Sequence, residues 1–237
     1  MKIVIIHGQS HKGASYHVGR TFIDQLEAKE NITEFFLPKD LPHFCLGCYQ
    51  CLKSAEKCPH YEWVKPIVQS LEEADLLVFT TPVYCLRASA PMKSLLDHLF
   101  IQWISHRPKQ EMYFKKAVII AAGAGMGMKE AAKDIKTSLD FWGISNIQTY
   151  KMRSQAMSWE GVSEANKDKV KQDMKKMADR IKSRAVAGVS LKNKFMFNLM
   201  RNMQLKGWGA CPEDKDYWMG KGWLGKDRPW KSKPSIS

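Results

Sequence analysis

Two apolar rhythms alternate along this chain. Residues 2–7 are a near-continuous Val/Ile run stopped by Gly8, the pattern of a strand buried on both faces. After a polar turn, Val18, Phe22, Ile23 and Leu26 recur at helical spacing. The exchange then repeats. Residues 32–37 predict a second strand, broken off by Pro38 and Pro42, and Val64, Ile67, Val68 and Leu71 mark a helical stripe. Residues 74–80 predict a third strand, continuously apolar from Leu76 to Phe79. Pro91 suits the first turn of the next helix, whose inner face is Leu95, Leu96, Leu99 and Phe100. Residues 117–121 predict a fourth strand, followed by Ala132, Ile135, Leu139 and Trp142 on one helical side, with Gly143 as the stop. Residues 147–152 predict a fifth, and Val170, Met174, Met177 and Ile181 give the last long helix, its methionines read as core. Five strands alternating with helices predict an α/β protein with a doubly wound, five-stranded parallel sheet. Ligands of such sheets bind outside the carboxyl ends of the strands, at the switch point between the first and third.

Three loops fall on that edge. Residues 8–15, Gly-Gln-Ser-His-Lys-Gly-Ala-Ser, join strand to helix through a polar turn punctuated by glycine. Backbone N–H groups at a helix start, with the helix dipole behind them, suit a phosphate. Ser10 and Ser15 add hydroxyls, and His11 and Lys12 add positive charge. An ordinary turn is the plainer alternative. Neither GxGxxG nor a Walker lysine pattern is present, so a dinucleotide Rossmann site and a P-loop are both unsupported. Residues 81–86, Thr-Pro-Val-Tyr-Cys-Leu, follow the third strand, and Cys85 there reads as a bystander thiol. Residues 122–127, Ala-Gly-Ala-Gly-Met-Gly, follow the fourth; their small side chains admit a flat or charged group, or serve turn geometry alone.

Cys45, Cys48 and Cys51 are separated by two residues each, and Cys58 follows, before Pro59. Repeated CxxC spacing turns neighbouring thiolates toward one soft centre, as in iron–sulfur cubanes. Structural zinc usually takes two separated ligand pairs instead. A CxxC redox pair and a set of inert buried thiols remain open. The loop follows the second strand and is expected to open on the same edge as the other three.

Composition narrows the class. A chain of 237 residues is long enough to bury a core without disulfides, and six cysteines at this length do not make a secreted framework. The N-terminal apolar run is too short for a signal peptide, and no run approaches a membrane span. A cytoplasmic protein is expected. The net charge of +13 favours anionic partners without choosing among them, and no zinc finger, RNA-recognition signature or helix-turn-helix is present.

The loop HGQSHKGAS, the segment TPVY and the glycine loop together resemble flavodoxin-fold NAD(P)H-dependent FMN reductases, and the cysteine run resembles their iron–sulfur flavoprotein branch. The resemblance covers about the first three-quarters of the chain. It implies a flavodoxin-like fold and FMN, with the phosphate at Ser10, His11, Lys12, Gly13 and Ser15. It places the flavin ring edge against Pro82, Val83 and Tyr84, with Gly123, Ala124 and Gly125 on the other side. For the branch it implies a [4Fe–4S] cluster on Cys45, Cys48, Cys51 and Cys58, relaying single electrons to or from FMN. Two departures stand: Ala14 replaces the Asn many relatives carry before the hydroxyl residue, and relatives with such cysteine loops do not all hold a cluster.

The implied activity is reduction of a quinone, a free flavin or a similar small acceptor by NAD(P)H, which docks transiently; flavin N5 carries the chemistry, so no catalytic triad is needed. The second reading is an electron-transfer protein exchanging electrons with a ferredoxin-like partner. A third, a nucleic-acid or membrane-surface binder with a vestigial flavin fold, ranks behind both.

Beyond residue 185 the composition changes, dividing the chain into a flavin domain, 1–185, and a basic extension, 186–237. Leu191, Phe195, Leu199, Met200 and Met203 predict an amphipathic helix, with Lys192, Lys194, Asn198, Arg201 and Asn202 opposite. Trp208, Tyr217, Trp218, Trp223 and Trp230 follow. Aromatic residues among lysines suit an arm across a second subunit, as in the Tyr-Trp and Gly-Trp tails of similar flavin reductases, so a homo-oligomer is expected.

Overall fold

A computed structural model describes residues 1–26, 31–183, 188–207 and 211–231. The strands are β1 (Ile3–His7), β2 (Ile32–Phe36), β3 (Leu76–Tyr84), β4 (Arg87–Ala88), β5 (Lys116–Gly123) and β6 (Asn146–Arg153). The helices are α1 (Ala14–Leu26), α2 (Tyr61–Glu73), α3 (Ala90–His98), α4 (Met128–Phe141), α5 (Glu164–Ser183), α6 (Leu191–Lys206) and α7 (Pro212–Gly220). Five strands run parallel in the order β2-β1-β3-β5-β6, the doubly wound order expected, with the switch point between β1 and β3. The sixth, β4, folds back antiparallel on the end of β3, pairing Val83 with Ala88 and Tyr84 with Arg87. The segment expected as a loop at 81–86 is therefore the continuation of β3 into a hairpin.

Burial explains why these runs become central strands. All five residues of β1 are buried, as are Leu76 to Thr81 and Ala117 to Ala122. One face of the sheet packs under α2, α3 and α4 around Phe79, Leu95, Ile135 and Trp142. The other packs under α1 and α5 around Phe22, Val78, Val118 and Met174, and the methionines of α5 are core as expected.

The extension packs on its own chain. Phe197, Trp218 and Trp223 are buried together with Ile104 and Tyr113 of the preceding domain, and Trp230 lies against them. Trp218 Nε1 donates to the carbonyl of His106 (2.6 Å), and Tyr217 Oη donates to that of Pro108 (2.7 Å). Helix α6 packs on its own chain through residues outside most of the apolar stripe expected to meet a second subunit. Asn193, Phe197 and Gln204 are buried, while Leu191, Phe195 and Leu199 are exposed. Polar anchors set this orientation: Asn193 Nδ2 donates to Ser145 Oγ (3.1 Å), Gln204 Nε2 to the Ser105 carbonyl (3.1 Å), and Arg201 to the carbonyls of Trp223, Leu224 and Gly225. Trp208 and the boundary near residue 185 lie outside the described residues.

Candidate active site

The loop after β1 is built for close approach. A Cβ on Gly8 would lie 2.7 Å from Ser89 Oγ, and one on Gly13 would lie 2.8 Å from His11 Nε2. The first-turn N–H groups of α1 have no carbonyl above them, and no acidic residue stands in that turn. Lys12 Nζ stands 5.4 Å from the centroid of the Tyr16 ring. These features fit an anionic group such as the FMN phosphate. Ser15 is buried at the turn. Ser10, expected as a donor to the ligand, instead donates its hydroxyl proton to the Leu37 carbonyl (3.1 Å), which leaves its oxygen as an acceptor.

The second loop is locked to the first. Ser89, fully buried, donates to the Gly8 carbonyl (2.5 Å), and Gly8 N–H donates to the Thr80 carbonyl (2.7 Å). Ser89 is the N-cap residue of α3 but makes no side-chain cap bond, since its hydroxyl serves the loop. Gln9 Nε2 donates to Tyr84 Oη (3.0 Å), so the tyrosine expected at the flavin ring bridges the two loops while remaining exposed. Cys85 and Leu86, at the hairpin tip, both have positive φ (49° and 64°), the strained left-handed conformation of a two-residue turn.

The third loop owes two of its glycines to this hairpin. A Cβ on Gly123 would lie 3.0 Å from Val83 Cβ, and one on Gly127 (φ 91°) would lie 2.7 Å from Leu86 Cα. Only open space surrounds Gly125. Arg87 Nη1 donates to Asp134 Oδ1 (2.8 Å), tying the hairpin to α4. The loop thus backs the hairpin with Gly123 and presents Ala124 and Gly125 outward.

Beneath these loops lies a buried network absent from the sequence reading. His7, at the end of β1, has Nδ1 2.9 Å from Thr80 Oγ1 and Nε2 3.0 Å from Glu34 Oε2, and its ring stacks on Phe36 at 4.6 Å. The bond to His7, with Arg20 beside it, holds the Glu34 carboxyl below the usual carboxylate range. A polar residue closing an otherwise apolar strand was the available signal for His7 and Thr80. Gln9 and Ser89 gave none, because their partners are remote in sequence.

The cysteine loop behaves differently. It leaves the carboxyl edge and runs along the outside of α3. Ser94 Oγ donates to the His43 carbonyl (3.0 Å). All four thiols are free and line one small cavity of about 20 Å³, together with His60, His98 and Phe100. His98 closes α3, whereas the flavin-side loops meet its first turn, about 12 Å away along the helix. The expectation that the cysteines open on the same edge is thereby corrected; their loop is pinned to the far end of α3. Three histidines do the pinning. His98 Nδ1 lies 2.8 Å from the Ser94 carbonyl, which can only accept, so that nitrogen carries the proton. In neutral His98 the other nitrogen accepts, and His60 Nδ1 donates to it (3.1 Å). Burial, then the neighbouring imidazoles, lowers the His60 pKa; burial likewise lowers that of His98. The His43 ring stacks on His60 at 4.6 Å.

Burial first, then the charges of Cys58, Cys45 and Cys48, push the Cys51 thiol up to about 11. The other three thiols of the run thus lie near enough to act on Cys51 through space. Among the described residues no three His, Cys, Asp or Glu side chains are placed to hold a single metal ion. A four-iron cluster sets its thiolates at separate corners, a wider arrangement, and the cavity would have to open to admit it. Cys48 and its neighbours Phe44, Leu46 and Tyr49 stand on the exposed side, in a turn where Gly47 and Tyr49 have positive φ.

A larger cavity of about 590 Å³ lies between α3 and α4; Phe100 lines both it and the cysteine cavity.

Comparison with known proteins places this geometry. An iron–sulfur flavoprotein of Archaeoglobus fulgidus is 29% identical over 102 residues, 43% of this chain and 44% of that protein. One from Methanocaldococcus jannaschii is 31% identical over 99 residues, 41% of this chain and 51% of that protein. The chain thus spans about half the length of the curated relatives it matches. Among solved structures, an FMN-dependent NADH-azoreductase from Bacillus anthracis, in complex with FMN, superposes with a TM-score of 0.60 at 16% identity, over 76% of this chain and 99% of that one. An NAD(P)H:quinone oxidoreductase from Methanothermobacter marburgensis gives 0.58 at 15%, over 78% and 98%. Both show the flavodoxin-like fold. Residues 1–158 match the NADPH-dependent FMN reductase family, and the chain belongs to it.

Proposed function

We propose that this protein is an FMN-dependent NAD(P)H oxidoreductase that reduces a quinone, a free flavin or a similar small acceptor in the cytoplasm. The observation that carries the reading is the locking of the β1 loop to the β3 hairpin, through Gln9–Tyr84 and Ser89–Gly8, at the switch point of the sheet. Bound there, FMN would supply hydride acceptance and release in single or paired electrons. The chain's own residues bind and orient. The α1 N-terminus with His11, Lys12, Gly13 and Ser15 would hold the phosphate, and Ser10 would join them on turning its hydroxyl away from the Leu37 carbonyl. Pro82, Val83 and Tyr84 would face the ring edge, and Gly123, Ala124 and Gly125 would line the other side. Open space at Gly125 leaves room for a nicotinamide to dock transiently.

A second reading rests on the shared cavity of Cys45, Cys48, Cys51 and Cys58: an electron-transfer iron–sulfur flavoprotein with a ferredoxin-like partner. The named relatives support it. A homo-oligomer is part of either reading, with the outward face of the extension as a place for contact.

The test is the absorption spectrum of protein purified without oxygen, with iron and sulfide assayed on the same sample, followed by NAD(P)H oxidation with a quinone. Flavin bands and a strong rate without iron support the reductase. Flavin with stoichiometric iron and sulfide, and rapid reduction by ferredoxin instead, supports the carrier. Protein that takes up no flavin from added FMN sinks both.

A further inference from the structure

Lys12, the cation expected at the cofactor phosphate, is exposed on the loop just ahead of α1. Among the described residues its ammonium lies over the face of the Tyr16 ring, 5.4 Å from the centroid and within cation–π range. Tyr16 is the third residue of α1, so this contact holds the charge beside the free N–H groups of the first turn. A carboxylate partner would neutralise the ammonium. A ring face only locates it, and leaves its three N–H donors for an anion.

The ring is itself held from three sides. His7 lies 5.1 Å away and Phe36 6.0 Å, and His17 meets it edge-on at 5.3 Å. These neighbours are fixed in turn. His7 stacks on Phe36 and is bonded at both ring nitrogens, to Thr80 and Glu34. His17 stacks on Trp159 at 5.0 Å. Arg20, one turn beyond Tyr16 on α1, pairs with the same Glu34. Tyr16 is thus wedged between its helix and the ends of β1 and β2, on the polar network beneath the loop. A lysine is a point charge on a flexible stem, and ordering that stem on binding costs rotamer freedom; an ammonium already located has less to lose.

We propose that Tyr16 is the positioning residue of the phosphate site: its ring sets the Lys12 ammonium at the start of α1, and so gives the protein a preference for a phosphorylated flavin over the unphosphorylated one. The inference rests on the reading of the β1 loop as the FMN phosphate site.

The experiment is titration of the full-chain apoprotein with FMN and with riboflavin, which lacks the phosphate, followed by flavin fluorescence. Wild-type protein is expected to prefer FMN. Tyr16→Leu should narrow that preference about ten-fold, the scale of one hydrogen bond to a charged group, with riboflavin affinity unchanged. Tyr16→Phe, which keeps a ring face, should retain the preference. Lys12→Met should narrow it as Tyr16→Leu does, and the two together no further than either alone. Melting temperature checks the fold, and Tyr16→Met, a more adaptable ringless side chain, replaces Tyr16→Leu if that protein does not fold. A ringless variant with the wild-type preference overturns the proposal. So does a double variant whose losses add, since Lys12 then acts without the ring. Equal wild-type affinity for the two flavins overturns the underlying phosphate reading instead, and the proposal with it.

Discussion

Arg107 joins Asp214 of the C-terminal extension to the cysteine loop. Its Nε donates to Asp214 Oδ1 at 2.8 Å, and its Nη2 donates to the carbonyl of Leu52, next to Cys51. Asp214 is buried and accepts a further bond from His106 Nδ1 (2.8 Å). The extension is thus a clamp on the same chain, bearing on the loop that carries four of the six cysteines. Removing one partner of a buried ion pair strands the other, at about 3–5 kcal/mol. Asp214→Ala is expected to lower stability by about 3 kcal/mol on that ground, and to speed proteolysis of both the cysteine loop and the extension. An unchanged urea midpoint would show that the clamp carries no load.

Trp218 should matter as much. It is fully buried, stacks on Phe197 at 4.7 Å and spends its N–H on His106. Trp218→Ala is expected to cost about 3–5 kcal/mol, as large-to-small core changes do. Loss of a cooperative melting transition in the extension, followed by tryptophan fluorescence, is the readout. A cost below 1 kcal/mol, near that of a surface change, would mean that the extension packs elsewhere in solution.

The glycines of the third loop separate into structural and open positions. Gly127→Ala places a Cβ against Leu86 Cα in a left-handed backbone, so it should displace the hairpin at a cost of about 1–3 kcal/mol. Flavin binding should weaken with it, because Tyr84 rides on that hairpin. Gly125→Ala meets open space and should leave stability and FMN affinity near wild type. Titration of both apoproteins with FMN compares them, and equal affinities would refute the assignment of Gly127 to the hairpin.

Acid should expose the network beneath the loops. The Glu34 carboxyl is held below the usual carboxylate range, first by the bond to His7. A depressed folded-state pKa contributes stability that is present above the unfolded value and lost as pH falls through the folded one. Wild-type protein should therefore exceed Glu34→Gln in stability at pH 6, and the gap should close as pH drops below 4.5. A gap that stays constant down to pH 3 would show that the bond, not the charge, is what matters.

Much of this was legible from local pattern. The Val/Ile runs at residues 2–7 and 117–121 became buried central strands, because a run apolar on both sides has nowhere else to go. The loops after them carry the site because a doubly wound sheet leaves its carboxyl edge open. Other features were not legible. The apolar spacing of Leu191, Phe195 and Leu199 marked a face in need of a partner, but not which side of the helix its own chain would hold, and those three side chains are exposed. Spacing reports which residues share a side, while Ser145, Ser105 and the carbonyls near Trp223, all remote in sequence, decided which side is held.

The sequence by itself determined the strands, their alternation with helices, the glycine-rich turns and the cysteine spacing, since each depends on neighbours within a few residues. Tertiary structure alone decided that Tyr84 reaches Gln9, that Gly127 serves Leu86, that the cysteines sit at the far end of α3, and that the extension folds onto Tyr113. Each of these is a contact between residues tens of positions apart, and such a contact exists only once the sheet has fixed where every loop begins.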